Sequence, residues 1–390
     1  MTAPQIITLG CRMNIAESER MRAMLAGESD LVVVNSCAVT DEALRQTRQA
    51  IRRARRDHPA ARLVVTGCAA EIDRTEIGAM DEVDALVANA AKLDPRAWNI
   101  AAAPPIARTG SLTRIRAFVA VQNGCDHACT FCVIPHGRGA SRSLTVAQVL
   151  REIEAHLAAG AKEVVLTGVD LTSWGHNLTG TPRLGLLAEA ILATFPALPR
   201  LRLSSVDGVE IDPALFELLA HEPRLMPHIH LSLQNGADLI LKRMKRRHLR
   251  ADAADLVVRL RMLRPDIAVG ADLIAGFPTE DEANVSIIDE IDIVHTHVFP
   301  FSPRPGTPAA RMPQVAREVV KARAAALRER SAKARAAWLA SLVGETLPVL
   351  AESDGTGYAP NYARVALPSG TAAGEIIEVT PSGLREGLLA

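Results

Sequence analysis

Three cysteines, Cys125, Cys129 and Cys132, stand within eight positions in the stretch "GCDHACTFCVIPHGRGASRS", with no fourth cysteine nearby. The other three, Cys11, Cys37 and Cys68, lie more than fifty residues upstream. Two odd-numbered sets do not suggest disulfides, and thiolates gathered at such spacing point to metal or redox chemistry. For any one cysteine the bland alternative is a small buried core residue. Zinc would need a tetrahedron, which His127 or His136 could complete. A 4Fe-4S cube fits Cys-x3-Cys-x2-Cys better, because three thiolates hold three irons and leave the fourth open to a substrate or cofactor. Phe131, directly before the last cysteine, can shield such a cluster from water.

The elements that must position these thiols follow from hydrophobic period. "QIITLG", "DLVVVNS" and "RLVVTG" read as strands ending at Cys11, Cys37 and Cys68. Asn14–Gly27 and Asp41–Asp57 between them have helical character, and Thr40 and Asp41 offer an N-cap. This β-α-β-α-β order implies a parallel sheet with right-handed crossovers, and open α/β sheets bind ligands at the carboxyl edge where the three cysteines would meet. "NIAAAPPIARTGSLTR", residues 99–114, reads as a linker. A second series follows: "AFVAVQ", "EVVLTG", "RLRLSS", "HIHLSLQ", "AVGADLIAGF" and "THVFPF" as strands, with helices such as Val146–Ala159 after Thr145 and Glu280–Ile293 after Pro278. Six β/α units suit an incomplete (β/α)6 barrel with its chemistry at the carboxyl ends of the strands, and the compact cysteine set follows the first strand. Residues 311–341 are alanine- and arginine-rich and helical, and the remainder reads as short strands with glycine turns, a small β-barrel. The expected fold class is therefore α/β in three parts: 1–105, 112–340 and 341–390.

At 390 residues two or three domains are expected, and a hydrophobic content of 48% excludes disorder over most of the length. Lysine plus arginine balance aspartate plus glutamate at 44 each, so no global field draws the chain to nucleic acid or membrane. Neither a leader pattern nor a run of about 18 apolar residues is found, which leads us to expect a soluble, cytoplasmic protein with no membrane partner. Basic runs do recur locally, at Arg45, Arg48, Arg52, Arg53, Arg55 and Arg56, at Lys242–Arg247 and through 311–335. Each alone reads as a solvated helix face; together they suggest an RNA-facing surface. Tyr358 and Tyr362 either stack on bases or plug a small core.

Taken in order, the motifs resemble the radical S-adenosylmethionine methylthiotransferase family. The local signature is Cys125-x3-Cys129-x-Phe131-Cys132, and around it stand "TLGCRMNIAES" at 8–18, "VVNSCAVTDEA" at 33–43, "VVTGCAAE" at 64–71, "VVLTGVDLTSWG" at 164–175, "HLSLQNGADLILKRMKRRH" at 230–248 and "ADLIAGFPTEDE" at 271–282. The resemblance spans nearly the whole chain. It implies a catalytic 4Fe-4S cluster on Cys125, Cys129 and Cys132, whose open iron chelates the methionine part of S-adenosylmethionine for cleavage to a 5′-deoxyadenosyl radical. It implies a second, auxiliary 4Fe-4S cluster on Cys11, Cys37 and Cys68 that carries the sulfur to be inserted, so that all six cysteines are used. "TGVD", including Thr167 and Gly168, resembles the place where the cofactor's amino group is held, although a plain βα turn would read the same. Gln234 points toward the same rim, and Gly276 would suit an adenine-binding edge. The closing segment resembles a small RNA-binding β-barrel. The subgroup resembled most acts on threonylcarbamoyladenosine at position 37, next to tRNA anticodons, and would need the anticodon stem-loop, a reducing electron donor and a sulfur donor as partners. The sister groups modify isopentenyladenosine or a ribosomal-protein aspartate. From another class, a non-catalytic zinc- or cluster-containing RNA-binding module would leave the second cysteine set without a purpose.

Overall fold

The computed structural model describes residues 3–100, 115–282 and 284–390, so most of the linker expected over 99–114 lies outside the described residues. The strands Gln5–Thr8, Leu31–Ser36, Arg62–Gly67 and Ala85–Leu86 form one parallel sheet in sequential order. Leu31–Ser36 is central and buried at every position, which suits its unbroken apolar run. Val32, Val34, Leu63 and Val65 face Ile51 and Ala54 of the helix Asp41–Asp57, while Val33 and Val64 face Met21 and Leu25 from the helix side beginning at Arg12. Full burial of each such side chain stabilises by roughly 1.5–3 kcal/mol. The first helix runs Arg12–Met24, two residues earlier than expected, and Thr40 caps the second by accepting from the Ala43 N–H at 3.1 Å.

All six strands of the second series are present and parallel: Arg116–Ala120, Glu163–Thr167, Arg200–Leu203 continuing into Ser205–Val206, His228–Gln234, Ala268–Ala275 and Ile293–Pro300. Among the described residues the six strands fall into two parallel sheets, the first of three strands and the second of four counting Ser205–Val206. Val146–Ala158 is a helix with a full capping box on Thr145 and Gln148. The helix expected over Glu280–Ile293 is reduced to Ser286–Glu290. Its first turn fails because Glu280 folds back to accept the Phe277 N–H at 2.9 Å, and Arg323 takes the Glu280 and Asp281 carbonyls, each at 2.6 Å, that a helix would have needed. The long helix starts at Arg317 rather than 311, four residues past Pro313, and ends at Ser341. It packs along the last two barrel strands.

The closing segment is a six-stranded, mostly antiparallel sheet seated against the amino-terminal ends of the barrel strands. Arg200 donates to the Tyr358 and Pro348 carbonyls, Arg202 to that of Pro360, and Arg116 to Glu352. Tyr358 and Tyr362 stack on each other at 4.8 Å, with Arg116 over the first ring and Arg202 over the second. Tyr362 also meets His228 and His295. The tyrosines therefore plug the barrel floor, and the base-stacking alternative is set aside.

Candidate active site

The short strands Gln122–Asn123 and Arg142–Ser143 pair antiparallel and pinch residues 124–141 into a loop above the barrel. Gly124 has φ of 76°, and a Cβ there would stand 2.0 Å from the Ala140 carbonyl oxygen, so only glycine closes this neck. Thr130 ties the loop to the far wall, its N–H donating to the Met244 carbonyl at 3.1 Å and its hydroxyl to that of Arg243 at 2.8 Å. The His127 N–H points at the Cys125 sulfur and the Ile134 N–H at the Cys132 sulfur, each at 3.4 Å. Phe131 packs edge-on against Phe277. Cys125, Cys129 and Cys132 all line one cavity of about 310 Å³ at the carboxyl ends of the barrel strands. Burial pushes the Cys125 thiol up to about 12 and that of Cys132 to about 11, so both hold their protons near neutral pH and binding a metal centre would displace them. Three sulfurs lining one cavity, two of them with amide donors aimed at them, suit a 4Fe-4S cluster.

Gly168 lines this cavity, and a Cβ on it would press on the Gln122 side-chain oxygen at 3.0 Å. Thr167 is buried beneath the rim, its carbonyl accepting from Val121. Gln234 reaches the cavity through a register shift at the end of its strand, where its φ of 72° re-aims it. Gly276 is not among the lining residues: a Cβ there would collide with Val320 of the long helix at 2.6 Å, so this glycine allows close helix packing. The wall also holds a charged network. Asp170 lies 2.6 Å from His127, which raises the His127 pKa, and takes the Ser173 hydroxyl. Arg246 bonds Asp207 at 3.0 Å and stands 3.6 Å from the Cys129 sulfur, and Arg247 bonds Asp207 and Glu210. His127 thus has carboxylate partners, while His136 is exposed.

Cys11, Cys37 and Cys68 stand past the carboxyl ends of three adjacent parallel strands, Cys11 capping the Arg12–Met24 helix, Cys37 directly after its strand and Cys68 opening a short helical turn. A Cβ on Gly10 would lie 2.8 Å from the Cys37 sulfur, which brings the first two strand ends together. The Ser36 hydroxyl accepts from Ala69 and Ala70, fastening the Cys68 turn to the neighbouring strand. Burial raises the Cys37 thiol to about 11 and raises that of Cys68. Cys68 faces the other cysteine loop: its Cβ is 3.5 Å from where a Cβ on Gly137 would be, and Asn89 bridges the Gly137 carbonyl (2.5 Å) and the Cys68 sulfur (4.0 Å). The two triads therefore share one border, and the auxiliary rim too has the donor set and the glycine-made room for a cluster.

That border is fastened by a buried network absent from the sequence reading. Glu17 accepts from Lys92 at 2.5 Å and from Arg138 at 2.8 and 3.1 Å, while Arg138 also donates to Asn14 (2.6 Å) and Asn123 (2.9 Å). All three charged side chains are at most 2% exposed. Glu17 and Arg138 stand inside cysteine motifs, whereas Lys92 lies outside all of them and carried no signal in the sequence. The basic run on the second helix reads differently in three dimensions: five of its six arginines pair with Glu42, Glu76, Glu82, Asp57 or Asp84. Residues 341–390 carry six carboxylates against two arginines, a balance unfavourable to phosphate.

Comparison with known proteins agrees with this layout. Residues 119–291 match the radical SAM superfamily and residues 4–88 an uncharacterized protein family, UPF0004. Threonylcarbamoyladenosine tRNA methylthiotransferase MtaB of Rickettsia prowazekii is 41% identical, over 99% of this chain and 96% of its own. tRNA-2-methylthio-N(6)-dimethylallyladenosine synthase of Maricaulis maris is 34% identical, over 90% and 86%. Among solved structures, the cobalamin-dependent S-adenosylmethionine radical enzyme OxsB superposes with a TM-score of 0.52 at 10% identity, over 85% of this chain and 56% of that one. The radical S-adenosylmethionine methyltransferase TsrM of Kitasatospora setae gives 0.50 at 17%, over 70% and 65%. The chain spans less than two thirds of either solved chain, and these two likenesses speak to the fold alone. The 41% identity across nearly all of both chains is decisive: this chain belongs to the radical S-adenosylmethionine methylthiotransferase family.

Proposed function

We propose that this transferase converts N6-threonylcarbamoyladenosine at position 37, beside the tRNA anticodon, to its 2-methylthio derivative. The observation that carries the reading is the shared border of two cysteine triads beside one cavity, in a chain 41% identical to a threonylcarbamoyladenosine tRNA methylthiotransferase. Cys125, Cys129 and Cys132 would hold the catalytic 4Fe-4S cluster, and Cys11, Cys37 and Cys68 the auxiliary one. When bound, the clusters and S-adenosylmethionine supply the one-electron and sulfur chemistry needed because carbon 2 of adenine has no acidic proton for a base to remove.

The chain's own residues orient and exclude. The backbone at Gly168, with Gln234, would present polar atoms to the cofactor side of the cavity, the Asp170 N–H being held by Gln122 at 2.9 Å, while Phe131 and Phe277 would keep water from the cysteine loop. Arg246, anchored by Asp207, places positive charge beside Cys129. Thr167 supports this rim from below, and Gly276 acts through helix packing. Residues 1–105 then serve as the sulfur-carrying part, 112–340 as the radical core and 341–390 as a floor. No helix among the described residues is long and apolar enough to cross a membrane; a cytoplasmic setting, a reducing electron donor and a sulfur donor complete the reading. Mass spectrometry of tRNA nucleosides from a deletion strain tests it: 2-methylthio-threonylcarbamoyladenosine should vanish. Loss of methylthio-isopentenyladenosine instead would move the assignment to the sister group.

A further inference from the structure

Twelve aromatic residues occur in the chain, and all lie among the described residues. Phe299 alone is exposed, at 40%. Its ring lines the cavity that holds Cys125, Cys129 and Cys132. An aromatic surface in a reaction chamber, on the one phenylalanine, tyrosine or tryptophan of the described residues that is exposed, is apolar area left for an occupant to bury.

Its mounting is stiff. Ile274 pairs with Phe299 in the parallel ladder and Ala275 with Pro300, and the Phe301 N–H donates to the Ala275 carbonyl at 2.8 Å. One turn on, the Ser302 hydroxyl accepts the Asp41 N–H at 3.1 Å and Arg304 pairs with Asp41 at 2.5 Å, which latches the segment to the domain carrying Cys37. Two residues before Phe299, and so on the same face of the strand, His297 meets its ring edge-on. The His297 Nδ1 lies 3.0 Å from an Asp272 oxygen that also takes His230 Nε2 at 3.0 Å. A carboxylate only accepts, so Nδ1 carries the proton, and Nε2 of this 59%-exposed side chain has no partner among the described residues.

We infer that Phe299 is the stacking platform for the target purine, with His297, oriented by Asp272 and His230, presenting Nε2 to a polar substituent of that base. The inference rests on the proposed RNA substrate and adds where its base is held. A planar π-face fits because Phe299 offers one flat surface beside a single directional acceptor; an aspartate side chain of a protein substrate has no ring to stack. The tyrosines of the closing sheet cannot do this, since their faces are spent on each other and on arginines.

The test uses the full-length, cluster-reconstituted protein and an anticodon stem-loop RNA with 2-aminopurine at position 37, plus the same RNA carrying threonylcarbamoyladenosine. Stacking quenches 2-aminopurine on binding. Phe299→Ala should weaken binding by roughly tenfold and abolish most of the quenching, given the usual strength of base–aromatic stacking. Phe299→Trp should keep both. His297→Gln should weaken the threonylcarbamoyl RNA more than the 2-aminopurine RNA. Leu239→Ala, an exposed apolar change on a helix, is the control and should leave binding as it was. Wild-type binding with Phe299→Ala within twofold and full quenching overturns the platform while leaving the RNA reading intact. Failure of the wild type to bind either RNA overturns the RNA reading, and the platform with it.

Discussion

Glu17→Gln should destabilise this protein far more than Lys92→Met, although each removes one charge from the same buried cluster. The cluster holds two cations and one carboxylate, all at most 2% exposed. Lys92→Met leaves the two-bonded Glu17–Arg138 pair neutral; it removes the 2.5 Å donor from Glu17 and a 3.2 Å donor from Asn35, but Arg138 still serves both Glu17 oxygens, so about 1–2 kcal/mol is expected. Burial, outweighing the pull of Glu17 and helped by Arg138, already lowers the Lys92 pKa, so its ammonium is the costliest member. Glu17→Gln instead strands both cations, for which roughly 3–5 kcal/mol is expected. Both bond the same carboxylate, so they sit roughly 5 Å apart and repel by about 3 kcal/mol at an effective dielectric near 20. The double variant Glu17→Gln/Lys92→Met should therefore be more stable than Glu17→Gln alone. Native-state hydrogen exchange over 12–24 and 133–139 reads the opening free energy at this border without assuming two-state unfolding of a 390-residue chain. Equal losses in the two single variants, or a double variant worse than Glu17→Gln, would refute the charge argument.

The two triads should fail differently: Cys129→Ala should stop reductive cleavage of S-adenosylmethionine, whereas Cys37→Ala should retain some cleavage and lose sulfur insertion, and reconstituted protein should carry roughly eight irons, halved when Cys11, Cys37 and Cys68 are all alanine. Equal loss of cleavage in Cys129→Ala and Cys37→Ala would count against separate roles. Acid should loosen the barrel floor. Burial lowers the His295 pKa to about 3 and that of His228 well below its usual value, so their stabilisation is full above about pH 6.5 and falls as pH drops toward 3. His295 alone contributes a loss of about 2 kcal/mol by pH 5, and His295→Phe should flatten the acid limb of a stability–pH curve. Glu280 titrates the other way: burial raises it from 4.5 to about 6, so its contribution is full below about pH 4.5 and is lost as pH climbs from there through about 6. Glu280→Gln should gain up to about 2 kcal/mol at pH 8 in chemical denaturation, and the gain should disappear below pH 4.5.

Much of the scaffold was legible because its signals are local. Short apolar runs placed all the strands of the first sheet but the short fourth one, and all six of the barrel; Thr40 and Thr145 marked two helix starts; three strand-end cysteines implied one rim, since parallel strands must end on the same edge. The compact Cys125–Cys132 loop was likewise readable, its spacing being the geometry. Glu280–Ile293 was misjudged because its helical signal is local but the competing donor, Arg323, arrives from more than forty residues away.

What residue order alone determined is the set of chemical parts and the elements carrying them: six thiols, two α/β series and a terminal β segment. What only the tertiary structure decided is which charges and rings are already spent. Arginines that read as an RNA face meet carboxylates from other turns and strands; Tyr358 and Tyr362 disappear into the barrel floor; Gly276 lies where a Cβ would meet Val320 of the long helix; and Phe299 alone of the phenylalanines, tyrosines and tryptophans is exposed. Glu17, Lys92 and Arg138 are separated by 75 and 121 positions and meet at hydrogen-bond distance. The reason is physical: a backbone period or a cap is written within a few residues, whereas charge pairing and burial depend on distance in space, which the chain acquires only when its domains dock.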